Sequence, residues 1–350
     1  MNYLEEYEDE FNDVIESIKQ NNLSRSKFPK LIIGTGLSVV YNLPGMWKLA
    51  KELECQFEKI TDQEIKYIWE EKKEDIFNLG LEAGLSTINL SNQKEREFVS
   101  EIKNITIKLI LEKEIELMDD TYNKKTGFKS LLKYLKNTAS FNNGILDIMT
   151  LNYDRTIEIV CDSLKMKIIT GFKGNIIKHF NDIYIRSMTK NEFDVRLFKP
   201  HGSLNWIEND LDVIETNDNL RLLNNFKNIH IITPGSSKYE MCTTNFIFNS
   251  MRENFYEILN RSLNYSLLIF GYGFNDEHFN VILYSKFEEV PTLIISKFVK
   301  EEIIDKGLTN SNVTILFEDN GRSQMIYKKK KYLLKKPLWD INVFADVFFE

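Results

Sequence analysis

The sequence has few cysteines and no long apolar run. Its three cysteines, Cys55, Cys161 and Cys242, lie far apart and form no CxxC pair. They predict neither a disulfide framework nor a zinc site. No stretch approaches the roughly 18 apolar residues of a membrane-spanning helix. The first residues, MNYLEEYEDE, are acidic where a signal peptide is basic and then apolar. We therefore expect a cytoplasmic protein without a membrane span or bound zinc.

The chain also lacks an excess of positive charge. The net charge is −7 over 350 residues, whereas a protein that holds a phosphate backbone needs a concentrated basic stripe. The densest basic run, Lys328 to Lys331 with Lys335 and Lys336 beyond it, is typical of a solvated loop. The composition favours an ordinary globular protein that does not bind nucleic acid directly.

Short apolar segments alternate with amphipathic helical patterns along much of the chain. The segments with a strand pattern are KLIIGTG (30–36), ILDIMT (145–150), KIIT (167–170), IYIR (183–186), VRLFK (195–199), IHIIT (229–233), SLLIFGYG (266–273), PTLIIS (291–296) and VTILF (313–317). Alternation of this kind predicts an α/β fold with a doubly wound, Rossmann-like parallel sheet. In such sheets ligands bind beyond the carboxyl ends of the strands.

The domain organisation follows from the same patterns. We expect one domain over residues 1–350, with a helical insertion or subdomain at 61–137, where Glu and Lys recur at helical spacing. The first twenty residues predict an amphipathic helix. Residues 300–350 form a C-terminal extension that ends in PLWDINVFADVFF (337–349). This tail and the N-terminal helix are candidate assembly surfaces, although both can equally pack on the protein's own sheet.

The first candidate junction is LIIGTGLSVVYNLPGMW (31–47), in which an apolar strand enters a glycine turn. Gly34 and Gly36 permit a close backbone approach, and the following helix turn directs free N–H groups at an anion. The alternative is a tight turn that only closes a strand. Val39 stands where a dinucleotide fingerprint has its third glycine, which disfavours an ordinary dehydrogenase site.

The second junction is TLNYDRTIE (150–158), again a strand that runs into a helix. Asn152 and Asp154 are both favoured helix caps. The functional alternative places Asn152 on a ribose hydroxyl or on a water molecule, and capping and function can coexist.

The third junction is LFKPHGSLNW (197–206), where His201 follows an apolar strand between a proline and a glycine. An imidazole accepts or transfers a proton near neutral pH, so His201 is the best candidate for a catalytic base. A histidine in a turn is otherwise often incidental.

The fourth junction is LLIFGYGFNDEHFN (267–280). Gly271 and Gly273 can admit the second half of a dinucleotide, while Asn275 and Asp276 can cap the next helix or hold a ribose. The alternative is a simple strand turn followed by a capped helix.

Taken in order, the four motifs resemble the sirtuin-like family, in particular its zinc-free bacterial branch. GTGLS and NLPGMW resemble the family's GAG-x-S and GLP-x-W elements, and TLNYD, KPHGSLNW and GYGFNDEH resemble its other three motifs. The resemblance implies that Asn152 and His201 are the catalytic pair. The residues that it implies for NAD binding are Gly34, Thr35, Gly36, Ser38, Pro44, Trp47, Asp154, Gly271, Gly273, Asn275 and Asp276.

Two departures bear on the activity that the resemblance implies. Sirtuin deacylases carry a four-cysteine zinc module, and they have an Asp-Phe-Arg element where this chain has Gly45, Met46 and Trp47. Zinc-free members are NAD hydrolases that deplete NAD in phage-infected cells. We therefore expect hydrolysis of NAD to nicotinamide and ADP-ribose. The alternatives are a sensor that binds NAD or an ADP-ribose derivative without turnover and, further off, a protein deacylase.

The resemblance also implies a trigger outside the chain. Relatives of this size occur with HerA-type ATPases, short Argonaute proteins or nucleotide-processing partners, and the sequence does not choose among them. We expect such a protein partner, together with homo-oligomers of the chain. No cofactor other than NAD, as substrate, is expected.

Overall fold

A computed structural model of the chain describes residues 2–4, 9–85, 88–89, 91–140, 144–186, 192–209, 212–232 and 244–349. Two residues discussed above, Thr233 and Cys242, lie outside these ranges.

Strands from both ends of the chain enter the main sheet. The strands are β1 (Asn2–Leu4), β2 (Phe28–Ile33), β3 (Leu146–Thr150), β4 (Ile168–Ile169), β5 (Phe172–Gly174), β6 (Lys178–Phe180), β7 (Val195–Phe198), β8 (Gly202–Glu208), β9 (Val213–Glu215), β10 (Ile229–Ile231), β11 (Tyr265–Phe270), β12 (Thr292–Ile295), β13 (Val313–Asp319), β14 (Arg322–Tyr327) and β15 (Lys330–Leu334). Within the described ranges the main sheet has ten strands, in the order β1-β15-β14-β13-β12-β11-β2-β3-β7-β4. All neighbours from β13 to β4 are parallel.

Helices connect most of these parallel strands. The helices are α1 (Asp9–Asn22), α2 (Thr35–Val40), α3 (Met46–Phe57), α4 (Gln63–Leu79), α5 (Leu81–Gly84), α6 (Gln93–Glu116), α7 (Met118–Asn123), α8 (Gly127–Ser140), α9 (Thr156–Ser163), α10 (Asp182–Arg186), α11 (Asn219–Asn224), α12 (Phe246–Arg261), α13 (Glu277–Glu289), α14 (Glu301–Thr309) and α15 (Ile341–Phe349), with a 3-10 turn at Phe226–Asn228. The expectation of a mixed α/β fold with a parallel-rich sheet is confirmed.

Both faces of the main sheet are buried. Leu31 and Ile33 of β2 lie in one hydrophobic core with side chains of α1, α8, α9 and α15. Ile32, which points to the opposite face, lies in a second core with side chains of α12, α13 and α14. Burial on both faces explains why β2 and β11 are almost continuously apolar, since alternate residues of a strand face opposite sides.

The direction of the chain reverses at the centre of the sheet. From β2 the chain runs outward through β3 and β7, and it begins again on the other side of β2 with β11, β12 and β13. The reversal therefore lies between β2 and β11. Crevices at such reversals, beyond the carboxyl ends of the strands, are the usual ligand sites of open α/β sheets.

The helical segment predicted at 61–137 divides into two parts. Helices α3, α4 and α6 enclose a hydrophobic core of their own, in which Phe57 stacks on Trp69. Helix α8 instead packs on the main sheet through Phe128, Leu131 and Leu135. The separate helical layer thus begins with α3 and does not include α8. The sequence boundaries differ because amphipathic periodicity does not show which apolar surface a helix covers.

The predicted C-terminal extension at 300–350 is an integral part of the main sheet. Strand β13 pairs with β12, and the antiparallel strands β14 and β15 continue the sheet. In α15, Ile341, Phe344 and Phe348 are buried in the core beneath α8. Of the two alternatives for the tail, packing on its own sheet is the one observed.

Other sequence expectations differ from the structure in detail. Within the segment predicted as an N-terminal helix, Asp9–Asn22 forms α1, whereas Asn2–Leu4 forms a strand parallel to β15. The IYIR segment is part of helix α10, because four residues are too few for periodicity to separate helix from strand. The IHIIT segment contributes β10 to a second, antiparallel sheet of the order β10-β8-β9-β6-β5. The sequence reasoning missed this sheet.

None of the helices in the described ranges is both long enough and apolar enough to cross a membrane.

Candidate active site

The two glycine turns meet at the reversal of the sheet. Strands β2 and β11 are neighbours in register, with Ile33 opposite Phe270. Beyond their carboxyl ends, the Gly34 N–H donates to the Phe270 carbonyl at 2.9 Å, and the Gly36 N–H donates to the Gly271 carbonyl at 2.9 Å. The first and fourth junctions are therefore joined backbone to backbone.

Glycine is required at this meeting point for contact between the turns themselves. A Cβ on Gly34 would lie 2.4 Å from the Gly271 carbonyl oxygen, and one on Gly36 would lie 2.5 Å from the Gly271 Cα. Gly271 also has a φ of +60°, in the left-handed region that favours glycine. The sequence analysis assigned these glycines to cofactor binding. The structure shows that they also allow the two turns to pack against each other.

We expect Gly34→Ala to destabilise the protein by about 1–3 kcal/mol, the usual cost of overpacking, because the new methyl group would meet backbone atoms. Gly144→Ala is the matched control. Among the described residues, none lies closer than 3.8 Å to a Cβ at Gly144, so this substitution should be neutral or slightly stabilising. Thermal unfolding of both variants measures the difference, and equal midpoints would refute the packing role.

Asn152 connects the second junction to the first. Its side-chain amide donates to the Gly34 carbonyl at 2.9 Å and to Ser38 Oγ at 3.1 Å. An amide group has only two hydrogens to donate, so both are turned toward the protein. Toward a ligand, buried Asn152 can act only through its side-chain oxygen, which is an acceptor.

Ser38 and Asp154 complete this contact. Ser38 Oγ donates to Asp154 Oδ2 at 2.7 Å while it accepts from Asn152. The other carboxylate oxygen of Asp154 accepts the Thr156 N–H at 3.1 Å at the start of α9. Asp154 thus caps the helix and orients Ser38 at the same time. Asn152 bonds to the glycine turn instead of the helix start.

The third junction is joined to the second and the fourth. The Leu204 N–H donates to the Tyr153 carbonyl at 2.9 Å. His201, three residues after the end of β7, is buried, and its Nε2 lies 3.2 Å from Asp276 Oδ2. A carboxylate in this position fixes the imidazole orientation. Asp276 Oδ1 accepts the Phe279 N–H at 3.0 Å and so also caps α13.

These contacts form a closed circuit among Gly34–Ser38, Asn152–Asp154, His201–Leu204 and Gly271–Asp276, which we call the junction network. Each of the four segments contacts two of the others. The structure therefore brings together side chains from points more than a hundred residues apart in sequence.

The remaining predicted residues make none of the contacts that close the junction network. Thr35, Gly273 and Asn275 are exposed at the two glycine turns, and Pro44 is half-buried. Trp47 lies on α3 with 63% of its surface exposed, and the centre of its ring lies 3.8 Å from Lys51 Nζ. Its assignment to NAD binding stays a prediction.

The sequence reasoning missed Lys199. Its amine contacts the second junction from the end of β7. The signal for it was a lysine at the end of an otherwise apolar strand, next to the histidine that was singled out.

Within the described ranges, no three His, Cys, Asp or Glu side chains are grouped so that they could hold a metal ion. Cys55 and Cys161 are free thiols.

Comparisons with known proteins bear on three of the four junctions. A search of curated proteins gave no match. Residues 147–296 match the family model described as a SIR2-like domain. This segment contains the junctions that hold Asn152, His201 and Gly271, and it leaves the Gly34 turn outside. The match supports the resemblance of residues 147–296 to the sirtuin-like family.

Proposed function

We propose that the protein hydrolyses NAD to nicotinamide and ADP-ribose at the junction network. The observation that carries this proposal is the closed circuit of contacts that holds Asn152 and His201 beside the Gly34 and Gly271 turns. The circuit lies at the reversal of a parallel sheet, where nucleotides bind in folds of this kind. The SIR2-like domain match over 147–296 agrees with an NAD-related activity.

In the proposed reaction the bond between nicotinamide and C1′ of the ribose breaks through a ribosyl cation-like transition state, as in glycoside hydrolysis. The bonding electrons go to the positively charged pyridinium nitrogen, so nicotinamide leaves neutral and needs no strong acid. Water adds to C1′ and gives up a proton, for which His201 is the acceptor. The Asn152 side-chain oxygen orients the water or a ribose hydroxyl, since its amide hydrogens are already engaged.

The wider role that we propose is depletion of NAD in phage-infected cells, in the cytoplasm and without zinc. The support for this is the similarity of GTGLS, TLNYD, KPHGSLNW and GYGFNDEH to zinc-free bacterial motifs. We further propose that the chain forms homo-oligomers and that a protein partner triggers it. The candidate partners are a HerA-type ATPase, a short Argonaute and a nucleotide-processing protein.

The test is to incubate the purified full chain with NAD, alone and with the products of its neighbouring genes, and to separate the nucleotides. Nicotinamide and ADP-ribose should appear in equal amounts. Calorimetric binding of NAD that is then recovered intact in both arms would instead identify a sensor. Nicotinamide release that depends on an added acetyl-lysine peptide would identify a deacylase.

A further inference from the structure

Lys199 is a buried cation that contacts the Asn152–Asp154 segment of the junction network. Its side chain is 2% exposed, although lysines are almost never fully buried unless they are paired. A charge so far from water must be compensated by hydrogen bonds or by an opposite charge. The groups that bond to the Lys199 amine are therefore the parts of the structure that this side chain holds in place.

The Lys199 amine has three hydrogen-bond acceptors, which belong to the second junction and to the helix after it. The Nζ donates to the Asp154 carbonyl at 2.6 Å, to the Tyr153 carbonyl at 3.3 Å and to Glu158 Oε1 at 3.1 Å. An ammonium group has three hydrogens to donate. The three acceptors thus match its full capacity.

Residues that follow His201 in sequence also bond to the backbone of the second junction. The Tyr153 carbonyl also accepts the Leu204 N–H at 2.9 Å and Ser203 Oγ at 3.4 Å. Lys199 precedes His201 by two residues, and Tyr153 directly follows Asn152. The backbone beside Asn152 is therefore attached to the segment that carries His201 both before and after the histidine.

The charge of Glu158 makes the contact specific for a cation. Burial raises the pKa of Glu158, and the nearby charge of Lys199 counteracts that rise. The second carboxylate oxygen of Glu158 is buried without a hydrogen-bond partner among the described residues. A neutral side chain at 199 would remove the donor from a buried carboxylate and from the Asp154 carbonyl, and it would leave the Tyr153 carbonyl with Leu204 and Ser203 as donors.

We propose that Lys199 is a positioning residue that fixes the distance between Asn152 and His201. It touches neither side chain and acts through the backbone of Tyr153 and Asp154. This inference rests on the proposed function, since the distance matters for turnover. Misplacement of a reacting group by about 1 Å can cost on the order of 100-fold in rate.

The test compares Lys199→Met with Lys286→Met. Lys286 is also largely buried and bonds a carboxylate, Glu289 Oε2 at 2.6 Å, but it lies near the end of α13 away from Asp276. We expect Lys199→Met to lower kcat for nicotinamide release by about 100-fold, with a much smaller change in the calorimetric Kd for NAD. Lys199→Arg should recover part of kcat, and Lys286→Met should keep both values near those of the wild type.

A second measurement does not depend on activity. Amide hydrogen exchange reports local opening, so Lys199→Met should speed exchange in peptides that cover 150–158 and 199–206, while Lys286→Met should not. If the wild type releases no nicotinamide, the proposed function fails, and exchange still decides whether Lys199 holds the turn. If Lys199→Met does not fold, the double variant Lys199→Met with Glu158→Gln is measured instead, because it also removes the carboxylate that the single variant leaves unpaired. Unchanged kcat, or unchanged exchange in those peptides, overturns the proposal.

Discussion

His201→Ala is expected to lower the rate of nicotinamide release by about 10²–10⁴-fold, the range that general acid–base catalysis usually supplies. The variant should still fold, because the His201 backbone carbonyl keeps its hydrogen bond from the Ile232 N–H at 2.9 Å. What is lost is the proton acceptor beside Asp276. Initial rates of nicotinamide release, measured under the conditions that activate the wild type, give the effect.

His179→Ala is the matched control for this experiment. The His179 ring also faces an aspartate, with Nδ1 at 2.5 Å from Asp212 Oδ2, but the pair is exposed on β6 in the second sheet. Its loss should leave the rate of release close to that of the wild type. A folded His201→Ala protein that is as active as His179→Ala would remove His201 from the chemistry.

The four junctions could be predicted from the sequence because the end of each parallel strand can be recognised from its own residues. The strands β2, β3, β7 and β11 are mostly apolar, with Lys30, Asp147 and Arg196 as their charged residues, and each is followed by polar or glycine residues. Since the carboxyl ends of parallel strands share one edge of a sheet, the polar residues after them were expected to meet. Gly34, Asn152 and Asp154 do meet, through Ser38.

The contacts that hold these residues were not readable in the same way. Lys199 bonds to backbone carbonyls, which every residue carries, so no pattern of side chains signals its partners. Asp276 was interpreted as a cap or a ribose ligand, and its contact with His201 depends on how two distant junctions pack. Trp47 fits an apolar helical stripe in sequence but lies on the exposed side of α3. The antiparallel second sheet is built from short strands whose pairing is set by tertiary contacts.

The second large effect is expected in the middle of the sheet, on stability. Asp147 of β3 accepts Lys30 Nζ from β2 at 2.6 Å and Arg196 Nε from β7 at 2.6 Å. Its side chain is 2% exposed, and Arg196 is nearly as buried. Removing one member of a buried ion pair leaves an uncompensated charge, at a cost of about 3–5 kcal/mol. We therefore expect Asp147→Ala to lower the free energy of unfolding by that amount at neutral pH.

Asp319→Ala is the control that shows how much of the Asp147 effect depends on burial, because Asp319 forms an ion pair that is exposed to solvent. Asp319 also bonds a lysine, with Oδ2 at 3.0 Å from Lys331 Nζ, and this contact lowers its pKa. Its side chain is 35% exposed, and solvent screens pairs of this kind, so the loss should stay below about 1 kcal/mol. Urea denaturation of the two variants, each compared with the wild type in the same buffer, measures the difference.

The pH dependence of the Asp147 effect follows from its pKa. Burial acts to raise the pKa of Asp147, but the charges of Lys30 and Arg196 outweigh burial and hold the pKa below its ordinary value. A carboxyl group with a lowered folded pKa stabilises the protein above its unfolded pKa of about 3.9. This contribution is lost as the pH falls through the folded pKa. The difference in stability between wild type and Asp147→Ala should therefore be largest near neutral pH and shrink below about pH 4. The difference shrinks because a protonated carboxyl group no longer compensates the two cations. A difference in stability that stays constant over that pH range would mean that Asp147 stabilises the sheet through packing alone.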